Sequence, residues 1–460
     1  MGWSARSWPP FVLAALLGCP NSGTIVVDDD GPSGYAEARV ADVSWSLHPQ
    51  FGSLVVVSWE QLAPATAWVE ASVDEGQWLA SPAQACDEGA CSDLVLGIPF
   101  GATASLRIAN DFGEGPLYAP VVTATTGPLP EGFPPPELLE SDPDRFDADG
   151  LYLIGSVNED TGGWTGGNYW KWILDRQGRV VWAHLTPDHH WTLYMRVSQD
   201  GDDLLWDQQT FWPEWDEGAG SVVHRWKIDG TVVESIPTPG LHHAFTELPD
   251  ETLVWGAADW ETESLVERAP GGVVSTIWRC DEFHALVGSD EVCQSNSLYW
   301  HEPSDSFLYS FYTTSTVVEI DHATGESLRW WGHLPGAWDF DPAESAFYWQ
   351  HGAVFTEAGT LLLSSYREEM VPEGVVREYE LDGSAEILRQ VWHFGEGEYL
   401  WAVTAGEAHR LPGGNTLHNQ GSGGRLREIT PDGQVVWDVA FGERLLGRTV
   451  FVDDLYAFAP

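Results

Sequence analysis

Positive charge is scarce in this sequence. Its 460 residues hold 21 Lys and Arg against 70 Asp and Glu, a formal net charge of −49. Most of such a surface repels phosphate backbones and anionic membranes, which excludes nucleic acid as an expected partner. The ordinary reading of the charge is a solvated shell that favours solubility. Any pocket that takes an anion must gather its few cations locally. Long apolar runs are lacking too: the run Phe11 to Leu17 is too short to span a bilayer as a helix, and no later stretch is apolar enough. Phosphate loop, GxSxG elbow and dinucleotide fingerprint are all missing, so no cofactor is expected. What is present, 43% hydrophobic and 12% aromatic residues, describes a globular chain long enough for two or more domains.

Cysteines number five. The first, Cys19, closes "MGWSARSWPPFVLAALLGC", an arginine followed by a short apolar run, which reads as an export signal over 1–19. Its end, "LLGC", resembles the lipobox of bacterial lipoproteins. The resemblance implies that Cys19 is lipidated and that the chain is held at the cell envelope, in the periplasm or at the outer membrane or cell surface, meeting the membrane only through that anchor. Cys86, Cys91, Cys280 and Cys293 remain, an even number in an oxidising compartment, and pairs 86/91 and 280/293 are the simplest expectation. The spacings do not make zinc knuckles, and no metal site is expected. "DDDG" at 28–31 likewise lacks the further acidic positions of a calcium loop.

Residues 20–37 are small and acidic without periodicity, as a flexible tether would be. From 38 to 126 short alternating runs such as "SLVVVSWEQ" and "TASLRIAND" predict a small β-sandwich. The tryptophan in "VSWE" and the closing "TATTGPLP" resemble fibronectin type III-like domains. The Pro-rich stretch 127–145 reads as a stiff linker.

Beyond it the sequence repeats. A turn and an apolar strand recur at "SQDGDDLLWDQ", "LPDETLVWGA", "PSDSFLYSFY", "TEAGTLLLSSY" and "LPGGNTLHNQ". Counting from Gly150 through Gly201, Glu251, Ser306, Gly359 and Gly414, the steps are 51, 50, 55, 53 and 55 residues. Each is followed by a hairpin pattern such as "KWILDRQGRVVW" or "LREITPDGQVVWDV". Six units of strands near this period predict an all-β, six-bladed β-propeller over 146–460. A solenoid would need capping repeats that are not there. Trp182, Trp330, Trp392 and Trp437 recur at equivalent strand ends and suit packing between blades.

Aligning the units exposes one slot twice. His243 stands ten residues before Leu253, and His351 stands ten before Leu361. The motifs "LHHAF", "QSNSLYW", "TVVEIDHATGE", "WQHGA" and "GGRLREITPDGQVVW" resemble the bacterial arylsulfotransferase family, over most of the repeat region. The resemblance implies transfer of a sulfuryl group from an aryl sulfate to a phenol without a nucleotide donor, through a sulfated histidine. It places the nucleophile on His351, with His242 and His243 contacting the sulfuryl oxygens or moving protons. Neutral imidazole is a competent nucleophile near neutral pH, and the sulfuryl oxygens need fixed donors or cations.

Two positions depart from the family pattern. Gln294 stands where a third histidine is expected, beside Asn296, and Tyr312 stands where an arginine is expected. Arg367 or Arg410 could supply the missing cation, although a surface ion pair is the plainer reading of each. Phe347, Tyr348, Trp349 and Tyr312 are expected to wall a pocket for the aryl group. His409 reads as an inner-strand residue, and His189 and His190 as rim or structural residues. Two further readings stay open: a non-catalytic propeller that binds aryl anions, and a structural cell-surface lipoprotein. Oligomeric state is not legible.

Overall fold

The computed structural model describes residues 22–24, 33–147, 151–161, 167–186, 190–210, 218–258 and 262–460. The leader with Cys19, "DDDG", Gly150 and His189 lie outside the described residues. The chain divides into two compact units: Met1–His48 with Val55–Val95 and Ala102–Gly127, and Pro49–Leu54 with Leu96–Gly101 and Pro128–Pro460. Nearly all regular structure is strand, so the fold is all-β.

In the first unit, alternation does what it predicts. Along Val55–Gln61 every second residue is buried, Val55, Val57, Trp59 and Gln61, as in a strand with one face on a core. That strand lies in a four-stranded sheet, and Thr103–Asp111 lies in a second sheet. Cys86 and Cys91 form a disulfide there. At the end of the stretch expected to be a tether, Ser33–Ala38 is helical and buries Tyr35 and Ala38.

Among the described residues the second unit contains six sheets of four or five strands. The recurring turn-and-strand elements become the second strand of each, as in Ser306–Phe311 and Thr416–Asn419, which are buried throughout. Burial on both faces explains why they read as unbroken apolar runs. The hairpin patterns become the third and fourth strands. Two sheets are completed from afar: Val450–Val452 pairs with Tyr152–Asn158 in the first sheet, and Glu137–Ser141 pairs with Val435–Ala440 in the sixth. The stretch read as a linker therefore contributes a strand, because its backbone finds a partner some three hundred residues later.

Outer-strand tryptophans tie neighbouring sheets. Indole N–H groups of Trp182, Trp278, Trp392 and Trp437 donate to Ile228 O, Ser327 Oγ, Pro431 O and Arg176 O at 2.9, 2.9, 3.1 and 2.9 Å. The last links the sixth sheet to the first. Trp330 instead turns to the nearby Pro335 carbonyl. A helix, Cys280–Val287, interrupts the strand pattern; it ends at Gly288 in a left-handed conformation, and the Cys280–Cys293 disulfide clips the loop behind it.

Candidate active site

A small chamber of about 20 Å³ is lined by Leu193 and Tyr194, His243, Asn296, His351, Ala405, and Gly447 with Arg448. His243, Asn296 and His351 lie on the first strands of the third, fourth and fifth sheets; Leu193 with Tyr194 and Ala405 lie just before the first strands of the second and sixth, and Gly447 with Arg448 just before the last strand of the first.

The local backbone explains how. Where His243, Asn296 and His351 sit, the pairing of the first strand with the second slips, between Leu241 and Phe245, Ser295 and Ser297, and on both sides of His351. Such bulges re-aim side chains that a regular pleat would send elsewhere. His243 and Trp349 take the left-handed conformation, with φ of 64° and 52°, at a backbone cost accepted where geometry is demanded. Gly352, at φ 62°, has no alternative: a Cβ there would lie 2.5 Å from Glu407 Cβ.

Both histidines are held in one tautomer. Nδ1 of His351 lies 2.9 Å from Trp349 O, and Nδ1 of His243 lies 3.0 Å from Ser295 O. A carbonyl only accepts, so Nδ1 carries the proton in each ring and Nε2 is the basic nitrogen. Burial, aided by the Arg448 charge, lowers the His351 pKa to about 3. Burial, then His242 and His351, drives His243 well below its ordinary value. Each imidazole is neutral at pH 7.

The residues behind them differ. Gln350 is fully buried, and its amide donates to Ser310 Oγ, Phe311 O and Thr316 O at 3.0, 3.1 and 3.1 Å, which latches the His351 strand to the fourth sheet. Asn296 Nδ2 donates to Gln350 O at 2.6 Å. His242 is buried beneath His243, with ring centroids 3.9 Å apart, and its Nδ1 bonds Glu263. The His243 N–H donates to Gln209 Oε1 at 3.1 Å, and Gln209 in turn bonds Asp207.

Arg448 is the cation of the chamber and was not legible in the sequence. One N–H donates to Gly406 O and another to Asn296 O, the second at 2.9 Å. The nearest carboxylate, Glu407, is 3.8 Å away. Burial pushes the Glu407 pKa up, but His409, Arg448 and the Thr449 N–H outweigh it and bring it to about 2. Arg448 follows the last repeat, in "LLGRTV", where no repeat alignment points; the signal that could have found it is the need for a distant strand to complete the first sheet.

Several expected residues stand elsewhere. Gln294 is exposed, because the bulge between Ser295 and Ser297 moves Asn296 into the chamber in its stead. Arg367 pairs with Glu373 at 2.9 Å and Glu368 at 3.2 Å. Arg410 pairs with Glu378 and covers the Trp392 ring. Phe347 belongs to the hydrophobic core beside Tyr379, and Tyr348 stacks on His333 at 4.6 Å. Tyr312 and Trp349 do come together, with ring centroids 4.5 Å apart, and Tyr312 lies edge-on to His351 at 5.5 Å. His409 bonds Glu407 at 2.9 Å and His190 bonds Gln208 at 2.7 Å.

Residues 289–442 match the arylsulfotransferase (ASST) family. The ASST match is narrower than the resemblance in the sequence motifs, since it takes in Asn296, Tyr312 and His351 but stops short of His243 on one side and Arg448 on the other. No curated protein matches the chain. Solved structures that resemble it do so remotely. A protein of unknown function from Bacteroides caccae is 14% identical, covers 63% of this chain and 93% of its own, and has a TM-score of 0.43. A quinoprotein alcohol dehydrogenase-like protein from Bacteroides thetaiotaomicron is 11% identical, covers 87% and 95%, and has a TM-score of 0.38.

Proposed function

We propose that the second unit is a six-bladed propeller, preceded by a small β-sandwich, and that its axial chamber transfers a sulfuryl group from an aryl sulfate to a phenol through a sulfated His351. The observation that carries this reading is the chamber itself: two neutral histidines with Nε2 as the basic nitrogen, beside one buried arginine.

In the first half-reaction His351 Nε2 forms a bond to sulfur as the sulfur to aryl-oxygen bond breaks, and its electron pair leaves on the phenolate. Arg448, with N–H donors left over from its two carbonyl bonds, meets the charge on the sulfuryl oxygens. In the second half an acceptor phenol oxygen attacks sulfur, the bond to Nε2 breaks, and His243 Nε2 takes the phenolic proton. The charge absent at Tyr312 is thus supplied by Arg448. Tyr312 and Trp349 give the aryl ring an aromatic wall.

The chamber volume corresponds to about one water molecule, so an aryl sulfate enters only when the lining side chains give way. That same tightness favours the rival reading, a module that binds small anions without turning them over. Incubation with 4-nitrophenyl sulfate and phenol separates the two: nitrophenolate release with a sulfated His351 peptide by mass spectrometry supports transfer. A folded sample that yields neither overturns it.

We also propose a lipid anchor on Cys19 at the cell envelope, supported by the sequence of the leader alone.

A further inference from the structure

A second chamber, of about 230 Å³, lies beyond Arg448 and shares Tyr194 and Arg448 with the first. Arg196, Arg448, Glu407, His409 and Tyr299 line it, with apolar wall from Val354 and its neighbours. It reaches solvent beside Val450 and the exposed Gln199.

Arg196 is unusual for this chain. In a protein with 70 carboxylates, no described carboxylate lies within ion-pair distance of it. Among the described residues its one hydrogen bond runs from Nη1 to Phe245 O at 2.8 Å. The Tyr194 ring lies 6.0 Å from the guanidinium of Arg196 and 5.6 Å from that of Arg448. A half-buried guanidinium without a counter-ion is costly. Glu407 does not relieve Arg196: it accepts from Thr449 Oγ1 at 3.0 Å and from His409 at 2.9 Å, and its nearest guanidinium is Arg448. Two arginines against one engaged carboxylate leave the chamber net positive inside a protein of net charge −49.

We propose that this chamber binds a singly charged oxyanion on a compact apolar body, such as an aryl or short alkyl sulfonate, sulfate or carboxylate, with the oxyanion on Arg196 and the apolar body against Tyr299 and Val354. The volume equals that of about seven or eight waters, enough for one benzene ring and its oxyanion. The site shares Arg448 with the chamber at His351, but its oxyanion position is on Arg196 and holds whether or not sulfuryl transfer occurs at His351.

Benzenesulfonate is the probe, because its carbon to sulfur bond cannot be transferred. Calorimetric titration of the full chain is expected to show binding that Arg196→Met weakens at least tenfold, Arg196→Lys weakens less, and His351→Ala changes less than twofold. Absence of binding at millimolar probe, or equal affinity in Arg196→Met, overturns the proposal. Because Arg196→Met also removes the bond to Phe245 O, crystals of the unaltered protein soaked in 4-bromobenzenesulfonate provide an independent reading. A bromine peak between Tyr299 and Val354 supports the site; a peak only beside His351, or none, overturns it.

Discussion

The third and fifth sheets offer a histidine from the same slot, fixed in the same tautomer by a backbone carbonyl, yet the two rings keep different company. Behind His243 stand His242 and Glu263, a path that ends in a carboxylate. Beside His351 stand Arg448 and the rings of Tyr312 and Trp349. A repeated scaffold delivers the same functional group twice, and unrepeated neighbours set it in different company: burial and a second imidazole keep His243 neutral with a carboxylate one ring behind it, whereas burial and a cation keep His351 neutral.

That contrast breaks most sharply at His351. His351→Ala is expected to lower aryl sulfate turnover at least about a thousandfold and to abolish the sulfated peptide in mass spectra, since the nucleophile cannot be replaced. Arg448→Met should follow at about a hundred- to thousandfold, the usual cost of removing one preorganised charge donor, with Arg448→Lys recovering part of the rate. His243→Ala should cost about a hundredfold, and unequally: release of the first phenol in a single-turnover burst is spared, while transfer to the acceptor slows, most for phenols of high pKa. Equal losses in both half-reactions would erase the distinction between the two sheets.

Two further measurements concern the surroundings of His351. Gly352→Ala places a methyl group against Glu407 at a positive φ, and should lower stability in urea unfolding by about 2 to 3 kcal/mol. The pH response is the mildest effect. With its pKa held at about 3, His351 stays neutral where an ordinary imidazole would be protonated. kcat/KM is therefore expected to change less than about threefold between pH 8 and pH 5, where a free histidine would lose about thirtyfold. Stability behaves differently. Below about 6.5 the unfolded chain takes up protons that folded His351, His418 and His184 refuse down to about 3. The stability is fully present above that range and falls as pH drops from about 6.5 toward 3, which melting curves across it would reveal.

Much of the scaffold was legible in the sequence because it is local. Turn, apolar strand and hairpin follow one another within each unit, and the slots of His243 and His351 emerged from that rhythm alone. What escaped depends on long-range pairing or on broken regularity. Glu137–Ser141 looked like part of a linker because the stretch is Pro-rich and its strand partner lies far along the chain. Gln294 was expected in the chamber beside Asn296 because the family resemblance puts a histidine there; across the bulge Asn296 enters and Gln294 is exposed. Arg367, just after the strand that follows His351, and Arg410 were candidate cations, but each has a glutamate within reach, the ion pair that was the plainer reading. Arg448 lay outside every repeat, and only the return of the chain to the first sheet brings it in.

That return gives the timing of synthesis a chemical meaning. The arginine stands two residues before the strand Val450–Val452 that fills the edge of the first sheet, so one docking event both finishes the architecture and installs the charge. The chamber therefore gains its cation only from the segment that leads into the final strand, so on the proposed reading the last part of the architecture to be made also completes the site.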